Sequence, residues 1–94
     1  MALARVVSFD GVGKERMEEQ RRQIEEGERP PELPASEIIA LHDADTGRAL
    51  VILFFDSEDD YRRGDEFLSA MPADETPGTR TSVAKYEVAI RATG

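Results

Sequence analysis

The chain has 94 residues, twenty acidic and twelve basic, a net charge of −8 and no cysteine or tryptophan. A chain this short makes one domain, residues 1–94, whose core buries roughly 60 to 65% of the surface the unfolded chain exposes. The missing thiols exclude a disulfide framework and a thiolate zinc site, and the negative field repels phosphate backbones and anionic bilayers, which sets aside nucleic acid and membrane surfaces as partners.

Ala4-Arg5-Val6-Val7-Ser8-Phe9-Asp10 is rich in β-branched and aromatic residues and is broken by Gly11 and Gly13, so it predicts a first strand. Lys14 to Glu26 is dense in Glu, Gln, Arg and Met, good helix formers, with Gly27 placed to stop the helix. Its apolar stripe is thin: Met17 and Ile24, with Val12 upstream, give a surface helix with a narrow contact. Arg29-Pro30-Pro31-Glu32-Leu33-Pro34 cannot continue a helix, since proline lacks a donor and extends the residue before it.

Strands are expected over Glu37 to His42 and Ala49 to Phe55, joined by Asp43-Ala44-Asp45-Thr46-Gly47-Arg48, whose turn formers make the pair an antiparallel hairpin. Ser57 can cap the free amides of a second helix, and Glu58, Asp59 and Asp60 suit its positive end. Tyr61, Phe67, Leu68 and Met71 form one face of that helix, with Gly64 between them, and Met71-Pro72 ends it. After a polar loop over Ala73 to Arg80, the last strand is expected over Thr81 to Arg91, where Ala84, Tyr86, Val88 and Ile90 alternate with Lys85 and Glu87. No run approaches the ~20 apolar residues of a membrane span, and Met1 to Val7 lacks a basic flank followed by a long apolar stretch, so a cytoplasmic location is expected.

The element order β-α-β-β-α-β predicts an α+β, ferredoxin-like fold: a four-stranded antiparallel sheet, two helices on one face, and strands one and three central. Ala49-Leu50-Val51-Ile52-Leu53-Phe54-Phe55 is apolar on both faces, although two helices can cover only one face. A second copy of the same sheet is the simplest cover, giving a two-fold homodimer; a ligand groove or another partner is the alternative.

At Gly47 to Asp60, where a Thr-Gly turn leads into an apolar strand, an aromatic residue and a Ser-Glu-acid helix start, the chain resembles the antibiotic biosynthesis monooxygenase-like family of the dimeric α+β barrel superfamily. The resemblance implies a homodimer with a small apolar pocket in each subunit, between sheet and helices, and in some members a cofactor-free oxygenase acting on an aromatic or polyketide-like substrate. The haem-degrading pattern does not carry over. Phe55 stands where that pattern places a tryptophan, Ser8 or Phe9 where it places an asparagine, and Arg62 to Met71 holds no histidine for the iron.

The residues themselves offer few catalytic groups. His42 is the only histidine and has a pKa suited to a general base, but a base needs a pocket and a partner. Asp43 with Asp45, or Asp56 with Asp59 and Asp60, could offer oxygens to calcium, yet EF-hand spacing is absent and turn and cap duties account for them, so no metal is expected. Gly11-Val12-Gly13-Lys14 lacks the spacing of a phosphate loop. There is no Gly-x-Ser-x-Gly elbow and no cysteine nucleophile. Any ligand site is expected where Phe55, Tyr61 and Tyr86 converge, with His42 or Arg5 as the orienting polar group and no cofactor. The expected function is that of a homodimeric α+β barrel protein binding a small apolar or aromatic ligand, with the cofactor-free monooxygenase as the alternative.

Overall fold

A computed structural model describes residues 2–27, 30–71 and 78–92. The elements are β1 (Leu3–Asp10), α1 (Lys14–Glu26), β2 (Glu37–Asp43), β3 (Arg48–Phe55), α2 (Glu58–Ser69) and β4 (Thr79–Glu87). The strands form one antiparallel sheet in the order β2-β3-β1-β4, so the two apolar strands, β1 and β3, lie inside and the more polar β2 and β4 form the edges. This α+β arrangement is compatible with a ferredoxin-like fold.

Element starts and stops follow the expected chemistry. The Ser57 hydroxyl accepts the Asp60 backbone N–H at 3.1 Å, capping α2 ahead of three acidic residues. Asp43 Oδ1 accepts from the Asp45 backbone N–H, and Gly47 takes a positive φ of 74° that closes the β2–β3 turn. The one displaced element is β4, which begins at Thr79 rather than Thr81 and stops at Glu87 rather than Arg91. β4 pairs only with β1, whose first strand residue, Leu3, lies opposite Glu87. Beyond that point one bond, from the Val88 N–H to the Ala2 carbonyl, continues the contact. The end proposed for α2 at Met71-Pro72 and the loop over Ala73 to Pro77 fall largely outside the described residues; the helix itself closes at Ser69.

Registers assign every strand residue to a face, because directly paired residues share one. The helices lie over the face carrying Leu3, Arg5, Val7 and Phe9 of β1 and Ala49, Val51, Leu53 and Phe55 of β3. One buried cluster gathers Leu3, Leu33, Ala35, Leu53, Phe55 and Tyr61 beneath α2; the other gathers Val7, Phe9, Val12 and Ala49, with Met17 of α1 against it. Gly64 lets α2 approach closely, since a Cβ there would stand 2.5 Å from two ring atoms of Phe55. α1 has no buried residue at all, as its thin apolar stripe implies.

The opposite face carries no helix. One row crosses all four strands as Ile39, Ile52, Val6 and Ala84, every member apolar. Next to it, Arg91 lies 4.4 Å from the Phe54 ring centre and pairs with Glu37 at 2.8 Å, so residues 88–92 reach one end of this face.

Candidate functional site

Between the sheet and the two helices lies a cavity of about 290 Å³. Its floor is Val7 and Phe9 of β1 with Val51 and Leu53 of β3; Phe67 and Leu68 of α2 wall one side and Ile24 of α1 the other. The space exists because α1 offers little apolar bulk: Met17 packs near Phe9, and Ile24, a third exposed, is left to face the second half of α2 across a gap. Ligand sites in general are concave and apolar with a few placed polar groups, at volumes from about 300 Å³ upward, so this space suits a small molecule.

The polar side chains on the wall are Arg5, Gln20 and Arg80. Arg5 is the decisive one. It stands mid-sheet, between Leu53 on β3 and Lys85 on β4, and is only 2% exposed. Two like charges opposite each other on adjacent strands repel, and α2 resolves this with two acids seven residues apart, hence on one helical stripe. Asp65 accepts from Arg5 Nε at 2.9 Å and Glu58 bonds Lys85, whose ammonium also sits 4.8 Å from the Tyr61 ring centre. Arg5 Nη2 is buried and has no acceptor among the described residues. A buried donor left unpaired costs roughly 1–3 kcal/mol, and more when charged.

The other residues singled out from the sequence are distributed differently. Phe55, fully buried, and Tyr61 do meet, edge to face with ring centres 5.5 Å apart, but they fill the space beneath the first half of α2 instead of lining the cavity. Burial pushes the Tyr61 phenol above its ordinary pKa, and the Asp65 carboxylate adds to that rise. Tyr86 pairs with Ala4 and therefore lies on the open face, away from both. An alternating strand cannot send Lys85 and Tyr86 to the same side.

His42 faces the helix side of edge strand β2, and its Nε2–H donates to the Val12 carbonyl at 2.9 Å. With the Val12 N–H bonded to the Gly47 carbonyl at 2.8 Å, this contact pins the β1–α1 turn to the β2–β3 turn. The same bond occupies the Val12 amide, which a phosphate-binding loop would need free. His42 borders an open hollow with Ser8, Asp43 and Arg48, separate from the interior cavity. Asp43 belongs to its turn: the Thr46 hydroxyl beside it holds its carboxyl below the usual carboxylate range. Among the described residues no group of three or more His, Asp or Glu side chains is arranged to hold a metal ion, and no helix is long and apolar enough to cross a membrane.

Of the five expected ligand-binding residues, Arg5 alone lines the cavity. Phe67, Leu68 and Ile24 are legible in the sequence only as apolar helix positions, and Asp65 is not singled out there at all. The seven-residue spacing of Glu58 and Asp65 on the same stripe as Tyr61 was the available signal for a charge-lined contact with the sheet. No protein-family model, no curated protein and no solved structure matches this chain.

Proposed function

We propose that this chain is a homodimeric α+β barrel protein, akin to the antibiotic biosynthesis monooxygenase-like family, that binds a small apolar or aromatic ligand in each subunit between sheet and helices. The observation that carries the ligand reading is the apolar cavity over Val7, Val51 and Leu53, bordered by a buried arginine. The pairing reading is supported by the uncovered face, where Leu41, Leu50 and Tyr86 are 51%, 36% and 58% exposed around the apolar row of Ile39, Ile52, Val6 and Ala84. A contiguous apolar patch on the central strands of a small domain marks an interaction surface, and two such sheets would cover each other about a two-fold axis.

Titration with naphthylmethanol, a neutral aromatic probe, followed by backbone amide resonances tests the ligand reading. Shifts are expected at Val7, Val51, Leu53 and Leu68, and Val51→Phe, which fills the floor, should weaken them at least tenfold. Absence of shifts at millimolar probe, or shifts confined to Ile39, Leu41 and Leu50, would overturn the cavity as the site.

A further inference from the structure

Charge is distributed unevenly between this chain and its cavity. Acids outnumber bases twenty to twelve overall, yet the charged side chains lining the cavity are two arginines, Arg5 and Arg80, with no Asp or Glu among its described lining residues. The two differ in depth. Arg5 is at the inner wall, while Arg80, opposite Phe9 on edge strand β4, is exposed. Positions four apart on β1 are separated by about 13 Å along the strand, so the arginines mark the two ends of the space rather than one binding point.

Neither arginine is fully answered among the described residues. Asp65, itself 43% exposed, takes only the Nε edge of Arg5, and Nη2 remains without an acceptor among the described residues. Arg80 forms no ion pair with a described carboxylate. A guanidinium is seldom buried unless paired, and its unmade bonds are recovered by whatever acceptor reaches it. A carboxylate does this best, because its charge-assisted bonds to a guanidinium are about twice as strong as neutral ones.

We infer that the ligand is an organic anion: an apolar, aromatic or aliphatic body in the cavity, with a carboxylate held by Arg5 and drawn in past the exposed Arg80. The inference rests on the reading of the cavity as a ligand site and adds the chemical class of the ligand. Apolar surface from Val7, Phe9, Val51, Leu53, Phe67 and Leu68 takes the body. Within an acidic protein, which otherwise repels anions, the two arginines provide the local attraction.

Three probes of one shape separate the possibilities: naphthoate, naphthylmethanol and naphthylmethylammonium, each titrated calorimetrically into the full chain. Naphthoate should bind at least tenfold more tightly than the alcohol, and the ammonium least. Arg5→Met should abolish the preference of naphthoate over the alcohol, and Arg80→Gln should weaken naphthoate less than Arg5→Met does. Should Arg5→Met fail to fold, side-chain resonances of nitrogen-labelled arginine in the unaltered protein give the same reading: naphthoate, and not the alcohol, should shift the Arg5 guanidinium. Equal binding of naphthoate and alcohol, or a preference that survives Arg5→Met, would overturn the anion assignment and leave the cavity standing. Failure of all three probes to bind would instead remove the cavity reading and this inference together.

Discussion

On the helix-bearing side of β3, Leu53 and Phe55 are 4% and 0% exposed, while on its other side Leu50 is 36% exposed and its β2 neighbour Leu41 51%. From Ala49 to Phe55 both sides of this strand are apolar, so hydropathy there is not what separates them. What separates them is how each is shaped. The covered side mixes a glycine-assisted close approach, two ion pairs to α2 and a residual cavity. The open side has a plain row of aliphatic side chains across four strands, flanked by Ser8 and Ser82 in the row on one side and by Phe54, with Arg91 over it, in the row on the other. A surface with pockets and charges suits a small polar-ended ligand and a specific helix, and a flush apolar row suits another sheet.

The strongest way to break this comparison is to damage each side in turn. Phe55→Ala removes a fully buried ring that packs against Tyr61 and Gly64, and it should lower stability by about 3–5 kcal/mol in chemical denaturation, a large part of the roughly 5–15 kcal/mol of a small domain. Ile52→Asp places a charge on the open side, where a lone chain leaves it in water but a paired sheet would bury it unpaired. Sedimentation equilibrium at micromolar concentration should therefore change from dimer to monomer, with the far-ultraviolet circular dichroism retained. An unaltered chain that already sediments as a monomer would remove the pairing argument. By residue type alone Val51 and Ile52, neighbours in a strand apolar on both faces, are equivalent. The register distinguishes them, since Val51 floors the cavity and Ile52 faces away.

That distinction also indicates how far the sequence could be read. The boundaries of α1, the β2–β3 turn and the Ser57 cap follow from local chemistry, which a few neighbouring residues specify completely. The limits of β4 depend on where β1 ends, a non-local fact, and the alternation over Val88 and Ile90 continued past the available partner. The proposed convergence of Phe55, Tyr61 and Tyr86 failed at Tyr86 because a face assignment on an edge strand needs the register. The cavity was less legible still: it arises from a volume deficit between the sheet and the two helices. Its one trace in the sequence was the thin stripe of Met17 and Ile24 on α1.

A smaller effect sharpens the account of the covered side. Gly64→Ala gains up to about 1 kcal/mol of helix propensity, but its new methyl would collide with the Phe55 ring at 2.5 Å. Overpacking of that kind costs about 1–3 kcal/mol, so a net loss of about 1–2 kcal/mol is expected. The ring is the obstacle, and Phe55→Leu in the same chain should recover part of that loss as a non-additive coupling. Strict additivity of the two substitutions would mean that α2 is held off the sheet by something other than this contact.

The smallest effect is a pH dependence confined to the covered side. Burial raises the Tyr61 phenol, Asp65 raises it further, and Arg5 and Lys85 oppose the rise. The folded chain therefore prefers the neutral phenol. In the unfolded chain the same group ionises near about pH 10, so its contribution to stability is complete below that value. As pH rises above it, the unfolded chain releases a proton that the folded chain retains, and stability falls until the folded pKa is also passed. Urea midpoints followed upward from about pH 9 should fall less steeply in Tyr61→Phe than in the unaltered chain, after each is referred to its own neutral value. Parallel alkaline limbs would show that water reaches the phenol freely, and the packing of Phe55, Tyr61 and Gly64 described for α2 would then be too tight.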